Sequence, residues 1–213
     1  MASTDRKIIM IKDYIELTGD PAVDLLVSAL SVAEKREGER KGWDKPSQLW
    51  ALYLRNAGQL DLTVVPPAYW RTGNQNPADD LANLASMVSM APQQPRQPTE
   101  RQLAGGFAGL AFMCEGWAVS PGNLTEQDER DRKAGLRKYE VHPDRREVRF
   151  VNAVDLNGLN YLIGRQRGKE QTQHVRDDRI GKVPNALHAL TQAVRLALET
   201  GLKWDLFAPF SAN

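Results

Sequence analysis

The sequence has very little cysteine, since Cys114 is the single one among 213 residues. A lone cysteine cannot close an internal disulfide, which fits a reducing compartment, and its apolar neighbours favour a buried thiol over a nucleophile. An excess of charge of one sign is missing too, because the formal net charge is +1. A dedicated nucleic-acid binder usually carries a clear basic excess, so we do not expect a nucleic-acid partner.

Long hydrophobic runs are also missing. The apolar segment 8–11 is far too short to cross a bilayer, and the first residues lack the apolar core of a signal peptide. We therefore expect a cytoplasmic protein that does not bind membranes. Apolar residues make up 41% of the chain and charged residues 26%, a balance that allows a packed core.

Sequence motifs for catalysis and cofactor binding are not found. His142, His174 and His188 lie far apart, and no Cys or His pair has the spacing of metal ligands. The chain has no phosphate-binding loop, dinucleotide fingerprint or Gly-x-Ser-x-Gly elbow. We therefore predict no cofactor, no metal and no catalytic residue, and we favour a non-enzymatic protein over an enzyme.

The most informative pattern that is present is a hairpin over 141–165. Two runs rich in β-forming residues flank Asn157-Gly158, and an Asn-Gly pair is the strongest short-range signal for a hairpin. We predict antiparallel strands near 148–154 and 159–165, joined at this pair. Further strands are predicted over 47–54, 58–65 and 110–119, with a buried helix as the alternative for the apolar run 110–119.

Helix signals occur at three places. Asp20-Pro21 and Asn76-Pro77 each combine a favoured N-cap residue with a proline at the first helical position, and Pro184 opens a third helix. We expect the first helix to end in a solvated charged segment at 34–37 and to stop at Gly38. A weaker helix is expected over 5–17.

The order of these elements is helix, two strands, helix, three strands, helix, without regular βαβ alternation. This order predicts an α+β fold, an antiparallel sheet of four to five strands with helices packed on it. The same order occurs in profilin-like and roadblock-like sheets, an analogy at the level of the fold alone. We predict a single domain over 1–213, with long loops near 91–104, 120–140 and 168–183.

Glu115 is the most unusual polar residue because it lies in an apolar strand pattern. A buried carboxylate needs a partner or has a raised pKa, so we expect it to contact an arginine on a neighbouring strand, such as Arg149 or Arg165. A structural ion pair is favoured, and an acid in a binding pocket is the alternative.

The segment 142–149 is the densest set of potentially functional side chains. One interpretation is an acid/base or anion-binding cluster, since arginine clamps carboxylates and phosphates. The favoured interpretation is a turn with Glu147 and Arg149 on the solvated face of an edge strand. The candidate binding residues are Glu115, Trp117, His142, Asp144, Arg145, Arg149 and Arg165.

Three segments resemble a family of actinobacterial proteins to which no activity is assigned. They are 42–52, with the pattern Gly-Trp-Asp-x-Pro, 111–117, with a Glu in an apolar strand, and 142–149, with His-Pro-Asp-Arg. The first departs from the family, which carries two prolines where this chain has Pro46-Ser47. The resemblance implies an actinobacterial or actinobacteriophage source and carries over no catalytic residue.

Two functions are consistent with these observations. The first is a non-enzymatic protein–protein interaction or accessory protein of an actinobacterium or its phage, which binds a protein partner or itself. The alternative is a small-molecule or nucleotide-binding protein, an enzyme included, that uses the region of Glu115, His142 and Arg149. A concave site lined by Glu115, Trp117 and His142 would favour the alternative.

Overall fold

A computed structural model describes four helices and eight strands within ten stretches of the chain. The described residues are 9–11, 14–16, 20–54, 59–71, 76–90, 106–119, 121–133, 141–169, 172–177 and 181–199. The strands are β1 (Ile9–Ile11), β2 (Tyr14–Glu16), β3 (Gln48–Leu54), β4 (Leu60–Val65), β5 (Gly106–Ala118), β6 (Arg146–Asp155), β7 (Asn160–Gln166) and β8 (Thr172–Asp177). The helices are α1 (Asp20–Lys41), α2 (Pro77–Met90), α3 (Glu126–Lys133) and α4 (Lys182–Glu199).

All eight strands belong to one sheet, whose main part is antiparallel in the order β4-β3-β5-β6-β7-β8. The short β1–β2 hairpin joins it through β2, which runs parallel to the start of β5, with Tyr14 opposite Phe107. The predicted α+β fold is confirmed: β3 to β7 form a five-stranded antiparallel sheet, and three further strands extend it. The analogy with profilin-like sheets stays a prediction.

Helices cover both faces of the sheet. On one face α2 and α4 pack together, and their apolar stripes meet the strands at Leu49, Leu110 and Phe112. The stripes recur at the helical spacing predicted from the sequence: Leu81, Leu84, Ala85, Val88, Leu187, Leu190, Ala193, Val194 and Ala197. On the other face Leu26 and Leu30 of α1 pack against the sheet.

The central strand β5 carries a bulge where it pairs with β3. Leu52 pairs with Gly109 while Tyr53 pairs with Phe107, so Ala108 is an extra residue. The extra residue changes the alternation of β5, and Phe107 and Leu110 therefore reach the same core, under α2 and α4. A Cβ at Gly109 would lie 2.3 Å from the Val154 carbonyl oxygen, so glycine is needed for β5 and β6 to approach each other.

The predicted β6–β7 hairpin is confirmed, with pairing from Val148 opposite Gln166 to Val154 opposite Asn160. Gly158 has φ +81° and donates its N–H to the Asp155 carbonyl. The buried Asp155 carboxylate accepts hydrogen bonds from the Leu159 N–H at 2.9 Å and the Tyr161 hydroxyl at 3.0 Å. Burial raises the pKa of Asp155 above its usual range, and these hydrogen bonds oppose that shift.

Gly158→Val is expected to lower the free energy of unfolding by about 2 kcal/mol, since a β-branched residue resists a positive φ. The new side chain would also crowd His188, whose Nε2 lies 3.0 Å from the Cβ position. Urea denaturation measures the loss. Gly168→Val, with φ +77° and open space around it, should lose less, and Gly122→Val should change little. Equal stability of all three variants would contradict this assignment of the turn.

Two expectations about local structure are wrong. Within 5–17 the structure describes strands β1 and β2 and no helix, because isoleucine-rich segments of three residues fit strand pairing. The stretch 168–183, predicted as a loop, contains β8. Its polar residues lack a strand alternation, and its pairing with β7 decides its conformation.

Three further points concern the predicted loops, the C-terminal residues and the absence of a membrane span from the described residues. The stretch 120–140 contains the short helix α3. The predicted loop 91–104 lies outside the described residues. So does the C-terminal segment 204–210, whose apolar side chains predict docking on the domain itself, or on a subunit or partner as the alternative. No described helix is long and apolar enough to cross a membrane.

Candidate functional site

Arg149 is the centre of a polar network that joins α1, β5 and β6. In the register of the sheet it lies opposite Glu115 on one side and Arg165 on the other. Its Nε and Nη2 donate to Glu115 Oε1 at 3.1 and 2.7 Å, and its Nη1 donates to Glu34 Oε1 at 3.4 Å. The predicted contact between Glu115 and an arginine is confirmed. The predicted solvated position of Arg149 is wrong, because β6 is an inner strand and this side chain is only 2% exposed.

α1 takes part in the network through two residues that face the sheet. Glu34 is fully buried, and its Oε2 accepts a hydrogen bond of 2.6 Å from Arg165 Nε. One turn later, a Cβ at Gly38 would lie 2.6 Å from Arg149 Nη1, so any side chain there would displace the guanidinium. The prediction that 34–37 is solvated is therefore wrong for Glu34, although Lys35 and Arg36 are exposed. The prediction that the helix stops at Gly38 is wrong. Gly38 makes room for Arg149, and α1 continues to Lys41.

The loop that follows α1 covers the network. The Gly42 carbonyl accepts from Arg149 Nη2, and the N–H groups of Asp44 and Lys45 donate to Glu115 Oε2 at 2.7 and 3.4 Å. Gly42 and Asp44 have φ +71° and +64°, a left-handed conformation that directs these backbone groups inward. Glu115 is thus bound by one guanidinium and by two backbone N–H groups.

Trp43, in the same loop, stacks with two arginines. The Cζ atoms of Arg149 and Arg167 lie 4.6 and 5.5 Å from the centroid of its ring. A cation–π contact contributes most where it is desolvated, about 2 kcal/mol, and this applies to the buried Arg149 rather than to the exposed Arg167. The Gly-Trp-Asp segment therefore serves to enclose the arginine side chains.

Arg167 links the loop to β6 at the solvent side. Its Nη1 lies 2.6 Å from Glu147 Oε2 and its Nη2 lies 3.1 Å from Asp44 Oδ2. These hydrogen bonds, to Glu147 first and then to Asp44, raise the pKa of the Arg167 guanidinium above its usual range. Because the Arg167 side chain is about half exposed, solvent screens these pairs and they add little to stability.

Asp44, Glu115 and Glu147 form a group of carboxylates whose oxygens lie within 4.8 Å of one another. Carboxylate oxygens at this spacing are able to hold a hard cation. Here each carboxylate already faces a guanidinium, from Arg149 or Arg167. The arrangement can therefore hold three chain segments together by charge, with arginines at the positions where a cation would neutralise the acids.

His142 belongs to a second cluster. It is buried, its Nδ1 accepts a hydrogen bond of 3.1 Å from the Asp144 N–H, and its Nε2 lies 3.8 Å from Asp128 Oδ2. Asp128 accepts from the N–H and hydroxyl of Thr125 at 2.9 and 2.6 Å, and Thr125 Oγ1 accepts from the Asp128 N–H. This is a capping arrangement at the start of α3. His142 therefore connects the turn before β6 to that helix.

Trp117 and Arg145 form a third, exposed pair, with the Arg145 Cζ 5.0 Å from the ring centroid. The seven candidate residues therefore divide into three groups. Glu115, Arg149 and Arg165 share one network, His142 and Asp144 a second, and Trp117 and Arg145 the third. Trp117 and His142 both contact Arg145, which donates to the His142 carbonyl, so the second and third groups are adjacent. Glu115 instead contacts Arg149 and the loop after α1.

A cleft of about 420 Å³ lies elsewhere, between α1 and β4. Among the described strands, β4 pairs only with β3, so its outer side is an edge of the sheet. Leu60, Leu62 and Val64 of β4 line the cleft, and Val32 of α1 lies on the other side. Val32 and Val64 are 54% and 46% exposed, unusually open for β-branched apolar residues. The cleft thus lies at a sheet edge and is lined by apolar and polar side chains alike.

This cleft is not predicted from the sequence. The sequence predicts a strand over 58–65, and the alternation of Leu60, Leu62 and Val64 with Asp61 and Thr63 is the signal for one apolar face. Whether that strand lies at an edge depends on the order of the strands in the sheet. No local sequence pattern indicates that order.

No protein-family model, curated protein or solved structure matches this chain. The resemblance to actinobacterial proteins therefore stays a prediction, and function has to be inferred from the geometry.

Proposed function

We propose that this protein is a protein–protein interaction or accessory protein of an actinobacterium or its phage, and that it binds polypeptide along the β4 edge beside α1. The observation that carries the proposal is the cleft between α1 and β4. An extended segment can add to a sheet edge through main-chain hydrogen bonds, while its alternate side chains enter pockets. The source of the protein rests on the resemblance of the three sequence segments alone.

The composition of β4 supports this use of the edge. Proteins usually protect an edge strand with lysine, proline, bulges or a covering element. The strand Leu60–Val65 contains one charged residue, Asp61, and its proline, Pro66, comes only after the last residue. An apolar edge of this kind favours the addition of another strand.

The region of Glu115, His142 and Arg149 supports the alternative, small-molecule or nucleotide binding, less well. Glu115 is bonded to Arg149 and to the Asp44 and Lys45 N–H groups, and His142 is bonded to the Asp144 N–H. A ligand there would have to displace these contacts.

Val64→Lys is expected to weaken peptide binding about tenfold, because burying one valine contributes about 1.5 kcal/mol. The test starts with random ten-residue peptides selected for binding to the wild-type protein, and fluorescence anisotropy then gives Kd for the wild type and the variants. We expect the selected peptides to alternate apolar and polar residues, as an added strand requires.

Met87→Lys is the matched control. Met87 is 61% exposed and lies on α2, which covers the opposite face of the sheet. It should leave Kd unchanged. Peptides that bind the wild type, Val64→Lys and Met87→Lys equally well would contradict the proposal.

A further inference from the structure

We infer that the segment accepted by the β4 edge is β4 of a second copy of this chain, so that two copies pair antiparallel about a twofold axis. The inference rests on the proposed function and names its partner. The two antiparallel sheets would then join into one, with both α1 helices on the same face. The argument comes from the residues of Leu60–Val65 and from the charges around the cleft.

Symmetry limits the possible registers. Residues opposite each other in an antiparallel pair point to the same face, and a twofold axis normal to the sheet preserves the faces. Even-numbered residues of β4 must therefore face even-numbered residues of the second copy. Only two such registers pair five residues on each strand: one is centred on Leu62 and the other on Thr63.

The register centred on Leu62 is the better of the two. On the cleft side it places Leu60 opposite Val64 of the second copy, Leu62 opposite Leu62, and Val64 opposite Leu60. Three apolar pairs therefore form. On the other side Asp61 meets Thr63, a pair able to form a hydrogen bond. The register centred on Thr63 instead sets Asp61 against the buried apolar Val65.

The charges around the cleft are compatible with self-pairing. Arg36 on α1 is basic, while Glu37 and Asp61 are acidic, so the rim has both signs. Two copies therefore do not bring surfaces of one sign together, and Asp61 does not face itself in the register centred on Leu62. The exposed Val32 and Val64 would be covered near the axis, which removes apolar surface from water.

A cysteine scan tests the register. Under a mild oxidant, Leu62→Cys should form a disulfide-linked dimer at least tenfold faster than Val64→Cys, because only residue 62 meets its own copy at the axis. Two copies of residue 64 would be about 13 Å apart along the strands, too far for a disulfide. The wild-type chain is the control, because it measures any cross-linking through Cys114 alone, a thiol whose pKa is raised by burial. Equal rates for both variants, or rates no higher than wild type, would overturn the register.

Sedimentation over a range of concentrations tests the dimer itself. The wild type and Met87→Lys should dimerise, and Val64→Lys should stay monomeric. A wild type that is monomeric throughout, while Val64→Lys still weakens peptide binding about tenfold, overturns self-pairing and leaves the proposed function standing. A monomeric wild type whose selected peptides ignore Val64→Lys overturns both. A dimer that persists in Val64→Lys shows that the copies meet at a different surface and also overturns the inference.

Discussion

Arg149→Leu is expected to lower the free energy of unfolding by about 3–5 kcal/mol, the usual cost of removing one partner of a buried ion pair. The substitution removes the hydrogen bonds to Glu34, to Glu115 and to the Gly42 carbonyl, together with the contact over the Trp43 ring. Leucine fills part of the space, but it leaves the Glu115 carboxylate and Glu34 Oε1 without their guanidinium partner in a largely buried site. Urea denaturation followed by tryptophan fluorescence measures the change.

Two further variants make the test specific. Arg40→Leu removes an exposed arginine that pairs with Glu37 on α1, and it should cost less than about 1 kcal/mol. Arg149→Lys keeps the charge, but its donors lie on one nitrogen and cannot reach partners that bond to three separate guanidinium nitrogens, so its loss should be intermediate. If Arg149→Leu does not fold, the free energy of unfolding of Arg149→Lys tests the prediction instead. A loss at Arg149 no larger than that at Arg40 would show that the network contributes little to stability.

The arginine network and the cleft are connected through α1. Glu34 and Gly38 face Arg149, while Val32 and Arg36 of the same helix line the cleft. These residues alternate along one helix. A rotation of α1 that moves Glu34 and Gly38 away from Arg149 therefore also moves Val32 and Arg36 in the wall of the cleft. The network therefore positions one wall of the proposed binding surface, although it does not line that surface.

The features predicted correctly from the sequence have local signals. The Asn157-Gly158 pair fixes the β6–β7 hairpin, and the Asn76 cap is seen in the hydrogen bond from the Ala78 N–H to Asn76 Oδ1. Glu115 stands out because its neighbours in the strand are apolar. In each case a few neighbouring residues are enough to predict the local structure or the unusual residue.

The features that were missed depend on contacts between distant segments. Glu34 is followed by Lys35, Arg36 and Glu37, which is the composition of a solvated helix face. Its burial follows from arginines more than a hundred residues away. Likewise, Gly38 resembles a helix stop, and only the position of Arg149 explains it. The edge position of β4 depends in the same way on the order of the strands.

Gly109→Ala is expected to lower the free energy of unfolding by about 3 kcal/mol or more. Its Cβ would lie 2.3 Å from the Val154 carbonyl oxygen and 3.0 Å from the Asp155 Cα, both backbone atoms of β6 that cannot turn aside. The φ of Gly109, +156°, is also one that residues with a side chain rarely adopt. Overpacking and backbone strain each cost about 1–3 kcal/mol, and here they act on the two inner strands together.

Gly116→Ala is the matched control for this prediction, because it lies on the same strand and gains the same methyl group. A Cβ at Gly116 would meet only the Phe150 ring edge, at an ordinary contact distance of 3.7 Å. Alanine also lowers the entropy of the unfolded chain, so Gly116→Ala should be neutral or stabilising by up to about 1 kcal/mol. Thermal and urea unfolding of the two variants should therefore differ in sign or by several kcal/mol. If both alanines are tolerated alike, β6 can move away from β5, and the close approach at Gly109 is not a requirement of the fold.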